Sequence, residues 1–526
     1  KQGDPLSPVL FNLVINEIIR KLPASIGFPI NDKLSINCIA YADDLILVAN
    51  TREGLKRLLE ILNEELPKRG LELNASKCFG LSLTALGKMK KTYLCSSSHL
   101  DLHGTLIKNL TADESWVYLG VPFSHIGRSK SFSPDLEALL NKLQKSPLKL
   151  QQKLFALRVY LIPRVLHGLV LSKVAMGELK IMDKLILKYL RLWLRLPKDT
   201  PLGFFYASVK LGGLGIKNLR TNVLKCRKQR IERMLVSPDD VVRLAAESEI
   251  FLKETVKLKD LLTYDEKCLD TTEKINKFWS ERLYTSFDGK PLAYSEYFPQ
   301  GCGWIREDKI AQPAHIFAEC IKLRINALPT RSRLARGRPT KDRSCRAGCL
   351  DVQKEPAIES LNHIAQVCPR THGARIKRHD RLVQFLCLNL KKNPKRNILV
   401  EYNFRTAAGI RKPDIIIIED TCAIILDVQV VGDSSNLEHE YLEKSRKYSN
   451  DANFINAFQK LYPLVTNLSF HAVTLNNRGL IAKSTVTALR RLGVPPRCIM
   501  ILCVISLEKT LEIWRIFNQS TAAARK

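Results

Sequence analysis

The chain has 526 residues, 45% of them hydrophobic, and a mean hydropathy of −0.10, which excludes both a single small module and wholesale disorder. Against 83 Lys and Arg stand 52 Asp and Glu, a formal charge of +31, and a surplus this large points to a polyanionic partner, nucleic acid ahead of an anionic membrane. Its 14 cysteines are too sparse for a disulfide scaffold and fit a reducing compartment; the apolar stretches 415–431 and 161–176 are both broken by charge, so no transmembrane span and no membrane partner are expected.

The opening residues, Lys1-Gln2-Gly3-Asp4, read like the middle of a longer protein. Behind Pro5-Leu6-Ser7-Pro8, apolar residues at Val9, Leu10, Leu13, Val14, Ile18 and Ile19 recur at helical spacing. Two β-rich runs, Ile36 to Tyr41 and Leu45 to Ala49, are separated only by Ala42-Asp43-Asp44 and predict a hairpin with acids at its tip. Helical periodicity returns over Arg52 to Leu66, and Leu71 to Asn74 and Val117 to Val121 read as strands, so an α+β domain ends near residue 125. From Asp135 to about Leu283 the pattern is mostly helical, and between Asn141 and Arg233 there are 21 Lys and Arg against 4 Asp and Glu, which favours contact with a phosphate backbone over a merely solvated face. Asp288 to Trp304 reads as a linker, and Lys322 to Arg346, with nine basic residues and one acid around Pro329, Gly337 and Pro339, as a loop-rich basic arm. The last segment alternates helix and strand, with its strongest β signals at Ile415 to Ile418 and Ala423 to Val431.

Three sets of residues have the composition of reactive or metal-binding sites. Adjacent carboxylates at a sharp turn, Asp43 and Asp44, suit Mg²⁺ shared with phosphate oxygens. Cys345, Cys349, His363 and Cys368, spaced by 3, 13 and 4 residues, suit a closed tetrahedral Zn²⁺ site, with His372 or His379 as a replacement ligand. Asp414 opens one predicted strand and Asp427 lies near the end of the next; with a nearby lysine, such a pair holds Mg²⁺ and activates water against a phosphate.

In order, Gln2-Gly3-Asp4-Pro5-Leu6-Ser7-Pro8, Tyr41-Ala42-Asp43-Asp44, Gly70 to Cys78 and Tyr118-Leu119-Gly120 resemble the palm of a reverse transcriptase. The resemblance implies that Gln2, Gly3 and Lys77 support template and nucleotide and that Asp43 and Asp44 bind the polymerase magnesium. A further metal-binding Asp of that family would precede this chain. The Asp414 and Asp427 spacing resembles restriction-like nucleases, except that Gln429 stands where that family has lysine; Lys444, Lys447 and Tyr448 on the following helical segment are the replacements.

Taken together, the chain resembles the C-terminal part of the polyprotein of non-long-terminal-repeat retrotransposons that insert at fixed sites in ribosomal RNA genes. That resemblance implies a multidomain α+β chain: a partial right-hand palm over 1–125, a mostly helical thumb over 126–287, a basic linker arm over 288–344, a zinc knuckle over 345–375 and a restriction-endonuclease-like α/β domain over 376–526. It implies target-primed reverse transcription, in which a nuclease nicks target DNA and the freed 3′-hydroxyl primes copying of the element RNA from deoxynucleoside triphosphates. In that scheme Asp414, Asp427, Lys444 and Tyr448 form the nuclease site, Mg²⁺ serves both active sites, Zn²⁺ is structural, a dimer on target DNA is possible, and the protein works in the nucleus, in the nucleolus. The alternative is a catalytically dead or host-adopted remnant that only binds nucleic acid.

Overall fold

The computed structural model describes residues 3–31, 34–86, 91–95, 100–102, 104–128, 133–172, 174–264, 266–306, 313–338 and 340–523. The chain divides into two compact units, one of Lys1–Phe132, His167–Ala175 and Val223–Glu266, the other of Ser133–Leu166, Met176–Asn222 and Lys267–Lys526.

In the first unit, helices α1 (Ser7–Ile19) and α2 (Arg52–Glu65) bury Ile15 and Ile18 against Leu58, Leu62 and Leu66. Thr51 starts α2 by accepting the Gly54 N–H at 3.0 Å, which satisfies one of the helix's free donors. Partly buried Leu45 and Leu47 pack on the same core, and they belong to a hairpin of β1 (Cys38–Tyr41) and β2 (Asp44–Leu47). The strand expected at 71–74 is irregular chain followed by a 3₁₀ turn, Ala75–Lys77; Leu71 and Leu73 still pack on the core, but among the described residues no strand pairs with them. The single strand expected at 117–121 is a hairpin, β3 (Trp116–Tyr118) and β4 (Val121–Ser124). Its two turn residues, Leu119 and Gly120, both have positive φ, the backbone a two-residue hairpin loop demands.

In the second unit, α3 (Met176–Leu194) buries Leu179, Met182, Ile186 and Leu190 on one face and leaves Lys180, Lys184 and Lys188 exposed at helical spacing on another. Asp183 on the buried face caps the start of the helix Leu219–Leu235 by accepting the N–H groups of Leu219 at 2.7 Å and Arg220 at 3.1 Å, and burial pushes its carboxyl up to about 6. The helical run Leu150–Leu171 is, by length and composition alone, long and apolar enough to cross a bilayer, a test that core helices also pass; 39% of its apolar window is buried. Arg158 within it donates to the carbonyls of Leu214 at 3.0 Å and Ile305 at 3.2 Å.

The segment read as a linker and loop-rich arm is instead built into the second unit. Lys290–Glu296 and Pro299–Ile305 are 3₁₀ helices, α4 (Ala314–Arg324) is a helix, and Phe298, Trp304, Phe317 and Leu328 are buried. Its cations have distant acidic partners that local sequence does not show. Arg333 pairs with Asp199 at 2.6 Å and Arg336 with Asp288 at 2.5 Å, while Arg324, 1% exposed, donates to the carbonyls of Arg478 and Gly479.

Beyond α5 (His372–Leu390) lies a four-stranded sheet in the order β5 (Asn397–Val400), β8 (Ile415–Glu419), β9 (Cys422–Val431), β10 (Asn467–Asn476), with a two-stranded ribbon, β6 (Phe404–Thr406) and β7 (Gly409–Arg411), between β5 and β8 in sequence. Only the β9–β10 pair is parallel. Side chains alternate across the sheet. Ile415, Ile417, Leu426 and Val428 pack on Leu382, Val383 and Leu386 of α5 and on the last two helices, α8 (Lys483–Arg491) and α9 (Pro496–Ala523). Ile416, Ala423 and Ile425 face the other way, towards Tyr448 of α6 (Leu437–Ser449) and Phe454 and Phe458 of α7 (Ala452–Leu461). Both faces are covered, which is why these strands read as continuous apolar runs.

Candidate metal centres

In the first unit, the hairpin tip places Asp43 in the turn and Asp44 at the first position of β2, paired with Tyr41. Ala42 has φ +52°, a left-handed conformation that bends the two strands sharply and leaves both acids exposed. Gly3 and Lys77 are exposed, and Gln2 lies outside the described residues.

In the second unit, Cys345, Cys349, His363 and Cys368 converge so that their four ligand atoms all lie within 4.8 Å of one another. A tight turn brings in the first pair: the Gly348 N–H donates to the Cys345 carbonyl at 2.9 Å, with Gly348 at φ +71°. A π turn, His363–Val367, closes with the Cys368 N–H on the His363 carbonyl at 2.8 Å and brings in the second pair. His363 Nε2 is buried and has no hydrogen-bond partner among the described residues, an orphan that a metal would satisfy. Burial lowers the His363 pKa, favouring the neutral ring a metal needs, and burial with the adjoining thiols pushes Cys349 up to about 12. Three thiols and one imidazole at this separation fit Zn²⁺. Of the replacement ligands considered, His379 lies elsewhere, against Asp414.

The register of β8 and β9 pairs Ile415 with Leu426, and one step further sets Asp414 opposite Asp427. Both are buried, at 9% and 3% exposure. Asp414 Oδ2 accepts the Val428 N–H at 2.6 Å and faces His379 Nε2 at 3.1 Å. Burial opposes ionisation of Asp414, yet the imidazole and that N–H hold its pKa below the usual carboxylate value; burial, and then the neighbouring Asp414, push Asp427 up. Asp427 Oδ2 accepts no hydrogen bond among the described residues, although two cations reach it, Lys444 Nζ at 3.1 Å and Lys447 Nζ at 3.5 Å. Two opposed carboxylates are a donor set suited to Mg²⁺, which would share Asp427 Oδ2 with these ammonium groups. The Gln429 amide is held by the Glu440 carbonyl at 2.8 Å and Thr474 Oγ1 at 3.0 Å, so the ammonium groups come from α6 instead. Tyr448 sits in the aromatic core; its hydroxyl donates to the Lys412 carbonyl at 3.1 Å and accepts from Lys447 at 3.2 Å.

Sequence reasoning missed the surroundings of this pair. His379, Asp380 and Glu401 form a second group whose ligand atoms lie within 4.8 Å of one another. No local spacing signals it, since His379 precedes Asp414 by 35 residues.

Residues 1–123 match the reverse transcriptase (RNA-dependent DNA polymerase) family. Over 495 residues the chain is 36% identical to the Retrovirus-related Pol polyprotein from type-2 retrotransposable element R2DM of Drosophila melanogaster, covering 94% of this chain and 46% of that one. A Pol polyprotein from the type-1 retrotransposable element R2 of Popillia japonica is 31% identical over 416 residues, 78% of this chain and 83% of that relative. The chain belongs to the R2 retrotransposon Pol polyprotein family. A Nasonia vitripennis member is 33% identical over 496 residues, again with 46% of its length covered, so the chain spans about half of the longer R2 relatives it matches. The Asp43–Asp44 tip thus stands in an R2 reverse transcriptase domain.

Proposed function

We propose that this chain carries two nucleic-acid-processing sites of an R2 polyprotein: RNA-directed DNA synthesis at Asp43 and Asp44, and Mg²⁺-dependent nicking of target DNA at Asp414 and Asp427. Together they would perform target-primed reverse transcription on element RNA at ribosomal RNA genes, in the nucleus. The observation that carries the nuclease half is the opposed, buried Asp414–Asp427 pair with Lys444 Nζ 3.1 Å away.

Asp414 and Asp427 would hold Mg²⁺, whose contribution when bound is to polarise the scissile phosphate and acidify water. Lys444 is 25% exposed and touches Asp427 Oδ2, so it can orient a water or a phosphate oxygen beside that acid. Tyr448 acts through its neighbours: its hydroxyl fixes the backbone at Lys412, two residues before Asp414, and the direction of Lys447. The Cys₃His cluster would take Zn²⁺ as a structural staple. In the palm, the exposed Asp43–Asp44 tip would present Mg²⁺ to the triphosphate, with Gly3, Gln2 and Lys77 supporting template and nucleotide. The exposed Lys180, Lys184 and Lys188 stripe would lie along a phosphate backbone.

The test is Mg²⁺-dependent nicking of a supercoiled plasmid carrying a ribosomal RNA gene segment, with wild type beside Asp427→Ala. Nicking lost in the variant supports the assignment. Equal nicking by both removes Asp414 and Asp427 as the cleavage site, and none by either when the remaining R2 sequence is supplied leaves this part of the chain to bind nucleic acid without cutting it.

A further inference from the structure

We propose that His379, Asp380 and Glu401 hold a second divalent cation of the transition-metal type beside the Asp414–Asp427 pair, and that His379 links the two. The binding claim stands without the nuclease reading; only its consequence for cleavage rests on that reading.

Two elements deliver the ligands. His379 and Asp380 lie on α5, one turn before Leu382 and Val383, which pack on the sheet, so the helix extends these two residues past the strand ends. Glu401 follows β5 with φ +49°, and its N–H donates to the Asp414 carbonyl at 3.0 Å, tying the turn to the residue that opens β8. The three ligand atoms lie within 4.8 Å of one another. Opposite donors around a cation with about 2.1 Å bonds lie about 4.2 Å apart, so a closure of well under 1 Å suffices. All three side chains are partly open to solvent, which leaves room for waters to complete the coordination.

The imidazole is shared. One nitrogen faces Asp414 Oδ2 at 3.1 Å and the other faces Asp380 Oδ1 at 3.2 Å. Carboxylates at both nitrogens hold the ring protonated, so a cation must displace the Nδ1 proton; Nε2–H then stays on Asp414, the carboxylate–histidine–metal arrangement that fixes a ligand's tautomer. A cation held there would lock His379 and, through it, the outer oxygen of Asp414. An imidazole with two carboxylates favours Mn²⁺, Zn²⁺ and their neighbours over Mg²⁺, whereas the all-oxygen Asp414–Asp427 pair suits Mg²⁺. The two positions therefore differ in preference. A competing charge is also present: Lys412 Nζ rests on Glu401 Oε2 at 2.5 Å, with its side chain 50% exposed.

The experiment uses the full chain preloaded with one Zn²⁺, so that His363 is occupied, and Mn²⁺ as the probe. Electron spin echo spectroscopy should show coupling of bound Mn²⁺ to an imidazole nitrogen, absent in His379→Gln. Asp43–Asp44 offers only oxygens, and an ion at Asp414–Asp427 meets His379 only through Asp414 Oδ2, so its nitrogen coupling is far weaker than that of a directly bound ring. Lys412→Met should tighten Mn²⁺ binding about tenfold by removing the competing ammonium, and Glu401→Gln should weaken it by a similar factor. No nitrogen coupling in the wild type, coupling unchanged in His379→Gln, or an unchanged Mn²⁺ affinity in Lys412→Met would overturn the site. Loss of nicking with the nitrogen signal intact would count against the nuclease reading alone.

Discussion

Glu359 is fully buried, and its carboxylate gathers four donors: the Arg331 N–H at 3.0 Å, the Arg346 N–H at 3.0 Å, and Arg346 Nε at 2.8 Å and Nη2 at 3.0 Å. Arg346 adjoins Cys345, and the Cys345 N–H donates to Ala357 two residues before Glu359, so this carboxylate clasps the loop that carries the first two thiols. Glu359→Ala strands a guanidinium and two backbone donors at once. Breaking a buried pair on one side costs about 3–5 kcal/mol, and because Arg346 keeps 20% exposure we take the lower end, about 3 kcal/mol. Ordering of that loop is coupled to metal capture, so Zn²⁺ affinity should fall about 100-fold, at roughly 1.4 kcal/mol per decade. Glu359→Gln keeps the shape and one acceptor oxygen and should cost only about 1–2 kcal/mol, about tenfold. A competition titration against a chromophoric chelator measures both, and hydrogen exchange over 343–359 reports the loop directly. Wild-type affinity in Glu359→Ala, or Glu359→Gln weaker than Glu359→Ala, would refute the clasp.

Cys349→Ser should lower the zinc content of the purified chain by about one equivalent; unchanged content by atomic absorption would remove the metal from the knuckle. Asp44→Ala, made in a full-length R2 polyprotein, should abolish cDNA synthesis while nicking continues, as scored on one labelled target; joint loss of both would show that the sites are not separable. Glu65 sits among Lys21, Lys68 and Arg69, which pull its pKa down from 4.5 to about 2. A carboxylate depressed in the folded state stabilises it above the unfolded pKa and loses that contribution as pH falls, so protection of α1 and α2 from hydrogen exchange should drop between pH 4.5 and 2, and Glu65→Gln should flatten that drop.

Where a segment's environment is set by its own pattern, the sequence was legible. The runs 415–418 and 423–431 read as strands, and their spacing placed Asp414 and Asp427 near adjacent strand ends, which the register sharpened to directly opposite. Ala42-Asp43 between two apolar runs was enough for a hairpin tip. Legibility failed where a partner from far away decides the outcome. The cations over Lys322 to Arg346 read as a loop-rich basic arm because the acids that pair with Arg333, Arg336 and Arg346, namely Asp199, Asp288 and Glu359, are scattered along the chain. Leu71 and Leu73 alternate like a strand, but among the described residues no neighbour offers a ladder. His379 looked like a spare zinc ligand by proximity in sequence, whereas α5 sets it against Asp414, 35 residues later.

One element decides how separable these parts are. Helix α9 runs for 28 residues, about 42 Å at 1.5 Å per residue. Ile499, Met500 and Leu502 near its start belong to the sheet's core, while Ile513 and Phe517, more than two turns further on, roof the cysteines, and Asn518 receives Arg346 at 2.7 Å. The knuckle thus has no floor of its own. Grafted elsewhere as a cassette of 345–375, it would arrive without half of its apolar walls, so domain-swapping designs must transplant it together with the terminal helix or not at all.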